Sequence, residues 1–440
     1  MRRWVLVGTV VLVVLALASG GVYVWQRPLL LTGTGYAAHN ACAVTEVAGR
    51  DDPDADLPPN PLVPVLRTEV SPGSASTSVL GLLARQRAWH SPGFGCAVAA
   101  QRPDLPEALP IPGGTNPLLL AAAPSEPEPV RVALDRAFGA DLSEAASAAL
   151  GTRGVVVVKD GVLVAERYAP GFDAGTPQLG WSMTKSVANL VVGRLVHDGR
   201  ISLDDDRLLP EWTDHRSAIT VRDLLQMTSG LAWDETYDLG TPITRMLYGE
   251  PDMGRYVAGQ PLAHQPGSHL QYSSGSTTLL CSILARDHGG PNLPRAALLA
   301  PLGLERAVLE TDAAGTPVCS SYLWATPREW ASIGQFALAD GVWDGQRLLP
   351  AGWLAASTRP VDVPGAEPGA AAGWWANVRA DGTPVQPDLP EDSCFAKGHD
   401  GQLLVVVPSE RLVVVRLGFT PGPEDDRGMA LAAELVTALR

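Results

Sequence analysis

The chain reads as an α/β protein of the α+β kind: an antiparallel sheet flanked by N- and C-terminal helices, with a mostly helical subdomain inserted. Three observations predict this. "RGVVVVKDGVLVAERYA" gives two β-branched runs around Lys159-Asp160-Gly161, a strong hairpin signal. Near the other end, "LLVVVP" and "RLVVVRLG" repeat the pattern around a turn at Ser409-Glu410. "VRVALDRAFG" and "GMALAAELVTALR" read as helices outside these hairpins, and the stretch between is mostly helical. Strands and helices at both ends imply a split sheet interrupted by helices. This domain is expected over 129–440, with its helical subdomain over about 188–330.

The N-terminal third has a different texture. Arg2 and Arg3 precede an uncharged stretch from Trp4 to Trp25. About 20 apolar residues suffice to cross a bilayer as a helix, and tryptophan favours its interfaces. A transmembrane signal anchor is therefore expected over 1–27, with the rest of the chain outside the cytoplasm, periplasmic or extracellular. Ala16-Leu17-Ala18 has the small-x-small form of a cleavage site, which would instead release a secreted protein. Residues 28–128 read as an irregular segment and linker, because "GRDDPDADLPPNPLVPV" and "LPEALPIPGGTNP" are turn chemistry. A helix is plausible within it near "SVLGLLARQRAW".

Export permits disulfides. Cys42 and Cys96 flank the Pro- and Ser-rich segment and are expected to pair. Cys319 and Cys394 could pair or could both be small buried residues, while Cys281 in "TTLLCSILA" reads as core. The spacing of the five cysteines fits no zinc site, and the eight histidines form no His-Glu-x-x-His. No metal or other cofactor is expected. A net charge of -14 argues against nucleic acid, which requires a basic face.

Chemistry concentrates at "GWSMTKS". The chain has three lysines, and Lys185 lies three residues after Ser182 at the start of a helix with apolar Val187, Leu190, Val191 and Leu195. Residues three apart share a helix face, so a desolvated Lys185 can take the Ser182 proton. A serine at this position can also be a plain helix cap. "HQPGSHLQYSSGSTTLLCSIL" places Tyr272 at the head of a second apolar helix, where a phenol can shuttle a proton or simply pack against a core. "SCFAKGHDGQLLVVVP" places a Gly-rich edge before a strand, able to offer a backbone N–H to an oxyanion or merely to turn.

These three motifs, in this order, resemble the serine β-lactamase and penicillin-binding superfamily, over about residues 130–440. Within it the likeness is greatest to the class C β-lactamase branch and the 6-aminohexanoate-dimer (nylon oligomer) hydrolases. "ITVRDLLQMTSGLAWDETY" matches the segment between nucleophile and tyrosine. The resemblance implies Ser182 as acylated nucleophile, Lys185 as its base and Tyr272 as second proton carrier. It implies an oxyanion hole of the Ser182 and Lys397 backbone N–H groups. Tyr237 resembles the tyrosine that contacts the substrate amide, and Gly398 and His399 stand near the place of the family's Lys-Thr-Gly, on the substrate side. The sequence departs there, and Tyr-Ser-Ser replaces the Tyr-x-Asn of many β-lactamases. Both departures make a small ester or amide a better expected substrate than a β-lactam.

Other readings compete. A D-Ala-D-Ala carboxypeptidase, another penicillin-binding enzyme or a weak β-lactamase keeps the same residues on a peptide or β-lactam. A non-catalytic, membrane-tethered binding protein of the same fold would not need Ser182, Lys185 and Tyr272 together. An α/β-hydrolase requires Gly-x-Ser-x-Gly, and here Thr184 replaces the second glycine.

Overall fold

The computed structural model describes residues 2–422 and 427–440, apart from several side chains among the first sixteen. The strands of the C-terminal domain form as their β-branched runs require. β5 (Thr152–Lys159) and β6 (Val162–Tyr168) turn through Asp160 and Gly161, both at positive φ (55° and 77°), as the tightest hairpins demand. β8 (Cys394–Gly398), β9 (Gln402–Val407) and β10 (Leu412–Gly418) return at the C-terminal end, with the two-residue β7 (Trp375–Ala376) outside them. The sheet order is β7-β8-β9-β10-β5-β6, antiparallel throughout. Strands from the two ends thus meet where β10 pairs with β5.

Both faces of this sheet are buried, which explains continuous valine runs in place of alternation. One face sends Val155, Val157, Val405 and Val414 into a core with α2 (Glu128–Ala137) and α7 (Gly428–Ala438). The other sends Val156, Val158, Leu404 and Val413 into the larger core under the helical subdomain. That subdomain supplies α3 (Thr184–His197), α4 (Pro242–Gly249), α5 (Ser274–His288) and α6 (Pro327–Leu338).

Residues 28–128 differ from the irregular segment expected. α1 runs from Arg2 to Glu46 through Pro28, although a proline inside a helix removes a hydrogen bond. Burial of its C-terminal part offsets that loss: Thr32–Gly35 and Ala37–Val44 are buried. It packs on a second antiparallel sheet of β1 (Leu66–Ser71), β2 (Ser74–Val79), β3 (Leu83–Ser91) and β4 (Gly95–Val98). The helix expected near 78–89 is instead the end of β2, a turn with Leu80 and Gly81 at positive φ, and β3. Cross-strand pairing outweighs the local helical preference there.

This N-terminal unit is fastened to the C-terminal domain. A Cβ on Gly35 would stand 2.0 Å from the Tyr248 carbonyl, so only glycine allows α1 to approach α4 this closely. Buried Glu310 accepts from the Cys96 N–H (2.7 Å) and Trp324 Nε1–H (3.0 Å) and pairs with His39 Nε2 at 3.0 Å. Among the described residues no helix is long and apolar enough to cross a membrane. The anchor expected over 1–27 falls partly on side chains outside the described ones, and the structure lends it no support of its own.

Cys42 and Cys96 are joined, with Cα atoms 6.1 Å apart. The remaining cysteines correct the expectation. Cys281 pairs with Cys319, Cα atoms 6.2 Å apart, and Cys394 is a buried free thiol. The reason is positional: Cys394 sits on β8, whereas Cys281 lies on α5 beside the segment that carries Cys319. The chain-entropy relation assigns each closed loop about 4 kcal/mol. Non-reducing peptide mapping should recover Cys42–Cys96 and Cys281–Cys319 and find Cys394 alkylated only after unfolding. A Cys319–Cys394 peptide would contradict the structure.

Candidate active site

Ser182 lies in a single 3₁₀ turn, Trp181–Met183, that leads directly into α3. Trp181 holds φ +47°, a strained value for a bulky residue that the surrounding packing must impose. β8 closes on this turn. A Cβ on Gly398 would meet the Gly180 carbonyl at 2.2 Å, so glycine is required where the sheet edge touches the turn before Ser182.

One helical turn along, Lys185 is 2% exposed. Its Nζ lies 2.9 Å from Ser182 Oγ, 2.9 Å from Ser274 Oγ and 3.0 Å from the Ser320 carbonyl oxygen. Burial pushes its pKa down to about 8, and the Glu235 charge acts in the opposite sense. An amine so placed is substantially neutral at mildly alkaline pH.

Tyr272 immediately precedes Ser273, whose side chain caps α5 by accepting from the Ser276 N–H. Its ring centroid is 5.0 Å from Lys185 Nζ, and its hydroxyl contacts Ser182. Burial, with the Glu235 charge second, holds the phenol protonated far above the ordinary tyrosine range. Tyr272 can therefore relay a proton but does not rest as a phenolate. Burial likewise raises Tyr237, whose ring centroid stands 5.0 Å from that of His399. His399 Nδ1 pairs with Asp400 at 2.7 Å. That carboxylate raises the imidazole's pKa despite burial, which alone would lower it.

Ser182, Lys185 and Tyr272 line one pocket together with Trp375 and Lys397, among others. Lys397 sits on β8 beyond Phe395, where the pairing with β7 ends, and its ammonium lies 5.2 Å from the Trp375 ring centroid. α3 also fastens the opposite wall: Ser186 Oγ donates to the Gly373 carbonyl at 2.6 Å, and Asn189 Nδ2 to the Ala372 carbonyl at 2.9 Å.

The structure therefore brings Ser182, Lys185, Tyr272 and Lys397 to one pocket. Tyr237, Gly398 and His399 are not among its lining residues, although Tyr237 stands beside His399 and Gly398 touches the turn before Ser182. Sequence reading missed Ser274, Ser320 and Glu235. Ser274 had a signal, as the last residue of Tyr-Ser-Ser. Glu235 stood in the quoted "WDETY" two residues from Tyr237, but nothing local ties it to a lysine fifty positions earlier. Among the described residues no cluster of His, Cys, Asp and Glu could hold a metal ion.

Comparison with known proteins bears on the family and the fold. A 6-aminohexanoate-dimer hydrolase from Paenarthrobacter ureafaciens is 26% identical over 222 residues, 46% of this chain and 56% of that protein. Protein flp from Staphylococcus aureus (strain N315) is 30% identical over 109 residues, 23% of this chain and 22% of its own length. The chain thus spans less than two thirds of these curated relatives. Among solved structures, a candidate 6-aminohexanoate-dimer hydrolase from Bacillus anthracis matches with TM-score 0.59 at 21% identity, covering 74% of this chain and 88% of that one. A family VIII carboxylesterase matches with TM-score 0.53 at 16% identity, covering 72% and 98%. These likenesses show the fold. The beta-lactamase family profile matches residues 138–438, and the chain belongs to the beta-lactamase family of serine hydrolases.

Proposed function

We propose that the protein hydrolyses a small ester or amide through an acyl-enzyme on Ser182. The observation that carries this reading is the buried Lys185 amine 2.9 Å from Ser182 Oγ. Ser182 Oγ attacks the substrate carbonyl carbon while its proton passes to Lys185. The Ser182 and Lys397 backbone N–H groups hold the resulting oxyanion. Collapse breaks the bond to the leaving group, which departs with the proton delivered from Lys185 through Tyr272. Water then attacks the acyl carbon as its proton passes to the same pair; the bond from that carbon to Ser182 Oγ breaks, Oγ takes the proton, and the acid is released. Tyr237, Gly398 and His399 contact the substrate beside this path. The curated relative named 6-aminohexanoate-dimer hydrolase, similar over about half of each chain, supports an amide as substrate.

Ser182→Ala should abolish labelling by a fluorophosphonate, read by intact mass. Lys185→Ala should slow labelling without unfolding the protein. Because the base must be neutral, the wild-type acylation rate should climb with pH and level off above about 8. A mass increase that survives Ser182→Ala would refute the nucleophile, and a flat profile between pH 6 and 9 would refute the base.

Tyr272→Phe preserves the ring that stacks at 6.0 Å on Trp375 and removes the proton carrier. Turnover should fall about 10²–10⁴-fold with the thermal midpoint unchanged. Near-normal turnover would mean that Lys185 works alone.

The location we propose is outside the cytoplasm, tethered by α1. Support for the tether comes from the sequence alone, through the uncharged Trp4–Trp25 run, and support for the compartment from two disulfides, which persist in oxidising surroundings. The full chain should remain with membranes after an alkaline carbonate wash, whereas quantitative release would contradict the tether.

A further inference from the structure

The three oxygen neighbours of Lys185 Nζ differ in what they can do with a hydrogen. The Ser320 carbonyl can only accept. Ser274 has one hydroxyl hydrogen, and it is directed at Glu235 Oε1, 2.5 Å away. Ser274 Oγ is thereby left to Lys185 as an acceptor. A neutral amine has two N–H bonds and one lone pair. With both N–H bonds committed to Ser274 and Ser320, the lone pair is directed at the one remaining neighbour, Ser182 Oγ.

The orientation of Glu235 is itself fixed. Its Oε2 accepts from Trp233 Nε1–H at 2.6 Å and from the Ser274 backbone N–H at 2.9 Å. The latter is a first-turn donor of α5 with no partner inside the helix. In each of these three hydrogen bonds Glu235 is the acceptor. A glutamine here would bring an NH₂ group in place of an acceptor oxygen. Ser274 could then accept from that amide and turn its hydroxyl hydrogen onto the Lys185 lone pair, in competition with Ser182.

We propose that Glu235, acting through Ser274, is a positioning residue that aims the Lys185 lone pair at Ser182. The inference rests on the reading of Ser182 and Lys185 as nucleophile and base. It assigns Glu235 a part comparable to the carboxylate that orients the histidine of a Ser-His-Asp triad, with a hydroxyl interposed. The other titratable groups around the amine do not supply this direction. Tyr272 presents its ring to Nζ, Tyr237 interacts with the Ser274 hydroxyl and not with the amine, and Lys397 stands on β8 at the pocket.

Two effects of Glu235→Gln separate positioning from simple charge. The Glu235 charge favours the ammonium form of Lys185, so its loss should shift the rising limb of the acylation profile to lower pH. Charge alone would then leave the high-pH plateau intact and raise the rate near neutrality. The lone-pair account predicts instead that the plateau acylation rate falls about 10²-fold while KM changes less than about threefold. Ser274→Ala, which cannot pass on the orientation, should lose a similar factor. The double variant Glu235→Gln/Ser274→Ala should be no slower than Ser274→Ala, because the two act as one unit.

Stopped-flow acylation by a nitrophenyl ester across pH 6–10 measures all of this. A plateau within threefold of wild type in either single variant overturns the proposal, as does a double variant that loses the product of the single factors. Should Glu235→Gln fail to fold, Ser274→Ala alone decides. If Ser182→Ala still acylates, the underlying assignment of nucleophile has failed. If Ser182→Ala is inert and Glu235→Gln is normal, only the positioning role has failed.

Discussion

Everything at this site depends on keeping one amine out of water beside one hydroxyl. A lysine in solvent is protonated at neutral pH and cannot take a proton from serine. Lys185 is buried by α3, α5 and the Ser320 segment together, and that burial lowers its pKa to about 8. Isolated burial would go further, because desolvation of a full charge is strongly unfavourable. The nearby Glu235 charge moderates it, leaving an amine that can change protonation state within each turnover.

The fold makes this arrangement possible by bringing three distant segments to one point. The sheet joins strands from both ends of the domain and places β8 against the turn before Ser182. The helical subdomain supplies Ser274 and Tyr272 from the head of α5. The Cys281–Cys319 disulfide ties α5 to the segment whose Ser320 carbonyl touches Lys185. A covalent bond thus lies one residue from an oxygen that orients the base. The N-terminal unit packs against the same subdomain. Tyr36 stacks on Tyr248 of α4 at 4.4 Å between centroids, and His39 stacks on Tyr322 at 4.3 Å.

Much of this could be read from the residues, and the exceptions have physical reasons. The hairpins announce themselves because β-branched runs flank Asp160-Gly161. "GWSMTKS" is legible because serine and lysine three apart must share a helix face. β2 was hidden because "SASTSV" is buried along its whole length between α1 and neighbouring strands, so small polar residues stand where an apolar pattern would be sought. α1 continues through Pro28 only because later residues of the helix are buried, a tertiary effect that local preference does not contain. The partner of Cys281 depends on how α5 meets the Ser320 segment. Glu235 is recognisable only in three dimensions, through a hydroxyl 39 positions away.

The central claim is that the substrate's acyl group is carried on Ser182 Oγ during turnover. Its most direct test is acid quench of the enzyme during hydrolysis of a nitrophenyl ester, followed by mass spectrometry of its peptides. The account predicts the acyl mass on the peptide containing Ser182, appearing within the burst and decaying as substrate is exhausted. An acyl group found on another residue, or turnover with no covalent adduct at any quench time, would contradict it.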